Sequence, residues 1–250
     1  MGKIVEAFYS RTESLKVIFE SYSSLHEVYR GVLVAANVSQ DKMALYDKTK
    51  KSAKAKQQEL SDSLHTQAFI LMTGGVEALL KDVLEDLILE NLIKMNNIGG
   101  IVFTLDEMKK IIEKNEQGDF VSIQLAESVI RQIFNNKNAN EKINFQNIQT
   151  TAATFQRMFG IDISSDNEDL LKRIALIWMK RHVLVHSDGV VDARYLNNSK
   201  KIVASETERE GERIVITKSL YDEAKDDFIA LFCVIEDTIT KKGLKIDGIG

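Results

Sequence analysis

Not one proline occurs in the 250 residues of this chain, and that absence constrains the fold more than any motif does. Proline breaks helix interiors and marks rigid turns, so a chain without it runs long helices uninterrupted and has no Pro-rich linker or tail. Apolar residues make up 44% of the chain and come mainly from Leu, Ile, Val and Ala, with only 7% aromatic. That content buries a substantial core, as one large domain or as one domain with a long appendage. The expected class is all-α.

Charge and cysteine usage narrow the function. Charged residues are 28% of the chain, but 33 Lys plus Arg against 37 Asp plus Glu leave a net of -4. Such a balance argues against a protein that coats nucleic acid by bulk charge, while leaving room for a local basic patch. The only cysteine, Cys233, lies in the apolar run from Ile229 to Ile235. It excludes an intrachain disulfide and a thiolate zinc site, and is read as a buried small hydrophobe. The N-terminus MGKIVEAFYSR has no apolar signal core, and Glu6 stands where myristoylation wants Ser or Thr. No stretch approaches the roughly 20 apolar residues of a membrane span. A cytoplasmic protein without a membrane partner is expected.

Residues 3 to about 36 carry a heptad pattern. One row is Ile4, Arg11, Ile18, Leu25 and Val32, the other Phe8, Leu15, Tyr22 and Tyr29, a coiled-coil-like seam with polar interruptions. Residues 1–60 are therefore read as a helical arm, continuous with a helical domain over 61–250. A second helix runs from about 40 to about 95, and its first part holds Lys48, Lys50, Lys51, Lys54 and Lys56 with no acid among them. That strip reads either as phosphate contacts for RNA or as a solvated helix face. From Ala68 the same helix turns apolar around Gly74 and Gly75, which cost helix stability and suggest a second helix approaching closely. Glu77 lies in this apolar stretch and wants a cationic partner, for which an arginine is the natural candidate.

Punctuation orders the rest. Thr104-Leu-Asp-Glu107 is a capping box opening a helix that fades at Gly118, followed by a helix over about 121–135. A further helix spans about 145–159 with Gly160 as its C-cap, and Ser165-Asp-Asn-Glu168 reads as a second capping box. It opens the helix LLKRIALIWMKRHVLVH, which Ser187-Asp-Gly189 ends. A short helical turn over Asp192–Leu196, a small β-hairpin and a last helix from about Ser219 to Thr240 complete the chain. The hairpin strands are placed near Ile202–Ala204 and Arg213–Thr217, around Gly211. The last helix turns Leu220, Ala224, Phe228, Leu231, Phe232, Ile235 and Ile239 to the core.

Glycine-rich phosphate loops of the Walker or Rossmann kind are missing, as is an HExxH motif. His182 and His186 are four residues apart and could meet one metal, but a third ligand would have to come from afar, with Asp188 and Asp192 the nearest acids. No metal or cofactor is assigned, and His26 and His65 are given no function.

Arg181 and His186 suffice for cleaving RNA without metal. An imidazole takes the proton of the ribose 2′-hydroxyl, which attacks the adjacent phosphorus, and a guanidinium stabilises the charge growing on the phosphorane. The products would be a 2′,3′-cyclic phosphate and a 5′-hydroxyl. Five residues on a helix leave the two side chains about 140° apart around its axis. A second copy of the helix across a two-fold axis would bring both pairs into one cleft, so a homodimer with a composite site is expected. The structural alternative is a surface arginine and a helix-terminal histidine that favours the C-terminal dipole.

The run WMKRHVLVHSDGVVDARYL resembles the last-helix signature of the HEPN (higher eukaryotes and prokaryotes nucleotide-binding) superfamily. Arg181, His182 and His186 match it, followed by Ser187-Asp-Gly189 and Val190-Val-Asp192, and MTGGVEALLKDVL resembles the family's early core helix with Glu77 at an acidic position. The resemblance covers about residues 64–240 and leaves the N-terminal arm outside. It implies a HEPN-type helical bundle and a metal-independent endoribonuclease acting as a dimer, often a toxin or an anti-phage effector held by a regulator. Arg181 and His186 would be catalytic and His182 a polar support; that Glu77 orients Arg181 is read from its burial, not from the family. The subgroup restrained by a nucleotidyltransferase antitoxin carries tyrosine two residues after the histidine. Asp188 stands there in this chain, which puts that partnership in doubt. A non-catalytic helical module binding nucleotide, nucleic acid or a partner protein is the alternative.

Overall fold

The computed structural model describes residues 2–13, 40–91, 130, 144–203 and 208–247, with the backbone course alone for 40–60. Six helices account for most of them: α1 over 3–13, α2 Gln40–Asn91, α3 Ile148–Phe159, α4 Glu168–His186, α5 Ala193–Ile202 and α6 Lys218–Lys241. The described residues are thus mostly helical, with no named strand among them. No helix among them is long and apolar enough to cross a membrane.

The core follows from helical spacing. On α2, Phe69, Met72, Val76, Leu79, Leu80, Val83, Leu84, Leu87 and Ile88 recur every three or four residues and are buried. α6 answers with Tyr221, Ala224, Phe228, Leu231, Phe232, Ile235 and Ile239, so its expected face is the observed one except that Leu220 is only partly covered. α4 sits between them and contributes Leu170, Leu171, Ile174, Ile177 and Trp178, and it packs against α2, α3, α5 and α6. Phe228 is the aromatic hinge point: its ring lies 5.1 Å from Trp178 and 6.4 Å from Phe8 of α1. Ile4 and Phe8, the first members of the two heptad rows, are buried in this shared core. The heptad positions from Leu15 to Val32 lie outside the described residues, as do the helices read over 104–118 and 121–135 apart from Ile130.

Helix ends show where local rules held and where they lost. α3 begins at Ile148, not 145, because the Asn147 side chain caps it by accepting from the Gln149 and Thr150 N–H groups. Gly160 ends it as expected, with φ 66 in the left-handed region open to glycine. The second capping box does not form. Asp162 captures Ser164 and Ser165, whose hydroxyl and backbone N–H groups donate to its carboxylate and hold its pKa at about 2. Ser165 is therefore turned away from the helix, and Asn167 takes the N-cap position without a side-chain bond.

After His186 the chain turns through Asp188 (φ 51) and Gly189 (φ 77), and the Ser187 and Gly189 N–H groups both donate to the Val183 carbonyl. Asp192 then caps α5, accepting from the Tyr195 N–H at 2.6 Å. This helix runs to Ile202, longer than the expected turn, and so takes the first residue placed in the hairpin strand, while Ala204 lies outside the described residues. No hairpin exists among the described residues. The segment around Arg213 instead pairs with the turn after α4, through an antiparallel bridge to Val190 and through Val191 N–H to the Glu212 carbonyl at 2.9 Å.

Two further expectations fail. Cys233 is exposed, because it lies between the buried positions Phe232 and Ile235 on the outer side of α6. Gly74 and Gly75 face open space, since a Cβ built on either meets nothing within 4 Å. A helical glycine without a close neighbour gains nothing from its missing side chain. Gly74→Ala and Gly75→Ala should each raise stability by roughly 0.5–1 kcal/mol in urea unfolding. Phe228→Ala, by contrast, should cost about 3–5 kcal/mol by the same measurement.

Candidate active site

The last three turns of α4 present charged and titratable side chains in different directions. Arg181 faces α2, where its guanidinium meets the Glu77 carboxylate at 3.5 Å, the cationic partner expected for that acid. Glu77 is held from its other side, because the Gln146 side-chain amide donates to both carboxylate oxygens at 3.1 Å. Gln146 is placed by the turn before α3, which Trp178 pins by donating its indole N–H to the Phe145 carbonyl at 2.7 Å. The three elements thus converge on one carboxylate.

The pairing leaves Arg181 incompletely satisfied. Its Nε is buried and has no hydrogen-bond partner among the described residues, and the Glu77 contact is longer than a formed hydrogen bond. Its side chain is 21% exposed, which leaves an opening on the guanidinium. A donor fork of this kind suits a phosphate oxygen.

His182 and His186 stand one turn apart on an open side of α4, with ring centroids 4.6 Å from each other. Both are exposed, and neither makes a hydrogen bond among the described residues. Partial desolvation pushes the His182 imidazole below the ordinary histidine value. The neighbouring charges of His186, Arg194 and Arg181 act the same way, while Asp192 pulls it up. The neutral ring of His182 is therefore favoured at neutral pH.

Within one chain the geometry separates Arg181 from His186. Arg181 joins Glu77 between α2 and α4, whereas His186 joins His182 toward solvent, as their five-residue separation demands. The lysines Lys48, Lys50, Lys51, Lys54 and Lys56 lie on the α2 backbone, but their side chains are outside the described residues. A metal would find two imidazoles here and no third ligand close by: Asp188 is paired with Arg213 at 2.5 Å, and Asp192 caps α5. No group of three or more metal-binding side chains converges among the described residues.

Sequence reasoning missed Lys180 and Gln146. Lys180 is 9% exposed and lies on the apolar row Ile177, Lys180, Leu184, a spacing that could have disclosed its burial. Its ammonium pairs with Glu208 and donates to the Tyr195 hydroxyl at 3.2 Å, so that α5 and the segment after it are fastened to α4. Gln146 carries no local signal, because its role comes from a turn that only the fold brings against α2.

Comparison with family models, with curated proteins and with solved structures finds no match for this chain.

The electrostatics around His182 can be read directly. In a proton NMR titration its ring should show a midpoint below about 6.5, the ordinary histidine value. Asp192→Asn, which retains a good N-cap, should lower that midpoint further, since the carboxylate is the group that raises it.

Proposed function

We propose that this chain is a metal-independent endoribonuclease of the HEPN type, cutting RNA to 2′,3′-cyclic phosphate and 5′-hydroxyl ends. The observation that carries this reading is the unsatisfied Arg181 guanidinium, oriented by Glu77 on the same helix end as two exposed, unbonded imidazoles. His186 takes the proton of the attacking 2′-hydroxyl and returns it to the departing 5′-oxygen. Arg181 stabilises the charge that develops on the phosphorus oxygens. Glu77 acts as a positioning residue, holding the guanidinium near the reacting phosphate, and His182 supports the second imidazole.

The separation of Arg181 from His186 around α4 supports a composite site. In a homodimer with two α4 ends facing each other, the arginine of one protomer and the histidine of its partner would meet on one phosphate. The monomer would then be inactive. A toxin or an anti-phage effector fits such an activity, with a regulator other than a nucleotidyltransferase antitoxin.

Purified protein should degrade RNA in EDTA. His186→Ala and Arg181→Ala should each lower cleavage at least about 100-fold while circular dichroism melting stays unchanged. Glu77→Gln should lower it less than Arg181→Ala. Cleavage that needs a divalent ion, or that survives both alanine variants, would sink the proposal. A stable complex with RNA and no cleavage under any condition would favour the non-catalytic binding module.

A further inference from the structure

The Arg181–Glu77 pair stays open, and the reason lies on the other side of the carboxylate. An arginine fork facing a carboxylate frequently closes on it through two parallel hydrogen bonds. Here the nearest approach is 3.5 Å, from one guanidinium nitrogen to Glu77 Oε2, and the buried Nε donates to nothing among the described residues. The Gln146 amide nitrogen, by contrast, lies 3.1 Å from each Glu77 oxygen. A donor equidistant from both oxygens takes an acceptor position on each, so a fork gripping both would have to displace it.

The amide is placed by its own turn and not by Arg181. Gln146 donates its backbone N–H to the Asn144 side-chain oxygen at 3.0 Å, and its neighbour Asn147 caps α3. On the other side Phe145 is buried, and its carbonyl takes the Trp178 indole N–H. Trp178 stands three residues before Arg181 on α4. The helix that carries the guanidinium therefore also anchors the turn that carries its competitor. Because the amide is neutral, it satisfies Glu77 without adding a second cation beside the phosphate.

We propose that Gln146 is a positioning residue that keeps the Arg181–Glu77 pair open and so leaves the guanidinium available to a phosphate oxygen. Its part in cleavage rests on the reading of RNA as substrate, whereas the open pair does not. Without the amide, Glu77 turns to the strongest donor in reach, Arg181, and closes on it. The guanidinium must then leave that pair before it can bind a phosphate.

Side-chain NMR of Arg181, assigned with Arg181→Lys, reads the pair directly. In the wild type, rotation about the Nε–Cζ bond should average the two Nη signals. In Gln146→Leu, which removes the donor, rotation should slow until the two signals separate. Anisotropy with a labelled single-stranded 2′-O-methyl RNA decamer, which cannot be cut, should show about threefold to tenfold weaker binding for this variant. The loss should vanish in a Glu77→Gln background, because the amide acts only through the carboxylate. Cleavage of RNA should follow the same pattern. Gln146 is exposed, so thermal melting should match the wild type. Arg181 signals left unchanged by Gln146→Leu would overturn the proposal. So would an equal loss of decamer affinity with and without the Glu77 carboxylate, the result expected of a merely structural turn. A wild type that neither binds nor cuts RNA would refute the nuclease reading, and the Arg181 signals would then decide the open pair by themselves.

Discussion

The candidate site depends on the burial of α4. This helix packs against α2, α3, α5 and α6 and buries one apolar side among them. Its apolar rows, Leu170, Leu171, Ile174, Ile177 and Trp178, must go where the other helices bury theirs, which fixes its rotation about its own axis. Once that rotation is set, Arg181 has to face Glu77, and His182 and His186 have to face out. Trp178 does double service here, since its ring packs on Phe228 while its indole N–H holds the turn that brings Gln146 to Glu77.

Two adjacent cations, Lys180 and Arg181, show how burial separates structural from chemical duty. Lys180 points into the interior, where an unpaired ammonium would be costly, and it finds Glu208 and the Tyr195 hydroxyl. That cluster leaves one buried Glu208 oxygen, Oε2, without a hydrogen bond, and its effect is to fix α5 and the segment around Arg213 against α4. Arg181, one residue on, has a single carboxylate that it shares with an amide, and one of its donors meets nothing. An incompletely satisfied guanidinium beside free imidazoles is the arrangement expected where an anion completes the bonding.

Much of this was legible from the residues. The missing proline and the spacing of α6 announced helices and the buried side of the last one. Gly160 announced a helix end, and Glu77 in an apolar stretch announced an arginine. The failures share a cause. Ser165 was read as a helix cap, but Asp162, three residues earlier, offered its hydroxyl and N–H a better acceptor. The hairpin was read from β-prone residues near 202 and 213, but α5 had already claimed Ile202, and Arg213 found the backbone of Val190 instead. Gly74 and Gly75 were read as a close approach, and Cys233 as core, because composition alone does not tell the covered side of a helix from the open one.

The sequence by itself determined what is settled within a turn or two of helix: the helical class, the glycine that ends α3, the i,i+4 contact of His182 with His186 and the angular separation of Arg181 from His186. Those follow from backbone geometry and side-chain spacing, which no distant residue can alter. Only the tertiary structure decided that Gln146 holds Glu77 from its other side and that Lys180 is clamped by Glu208. Such pairings join segments far apart in the chain. They are chosen by the competition of all helix faces for burial, and a local pattern carries no record of that outcome.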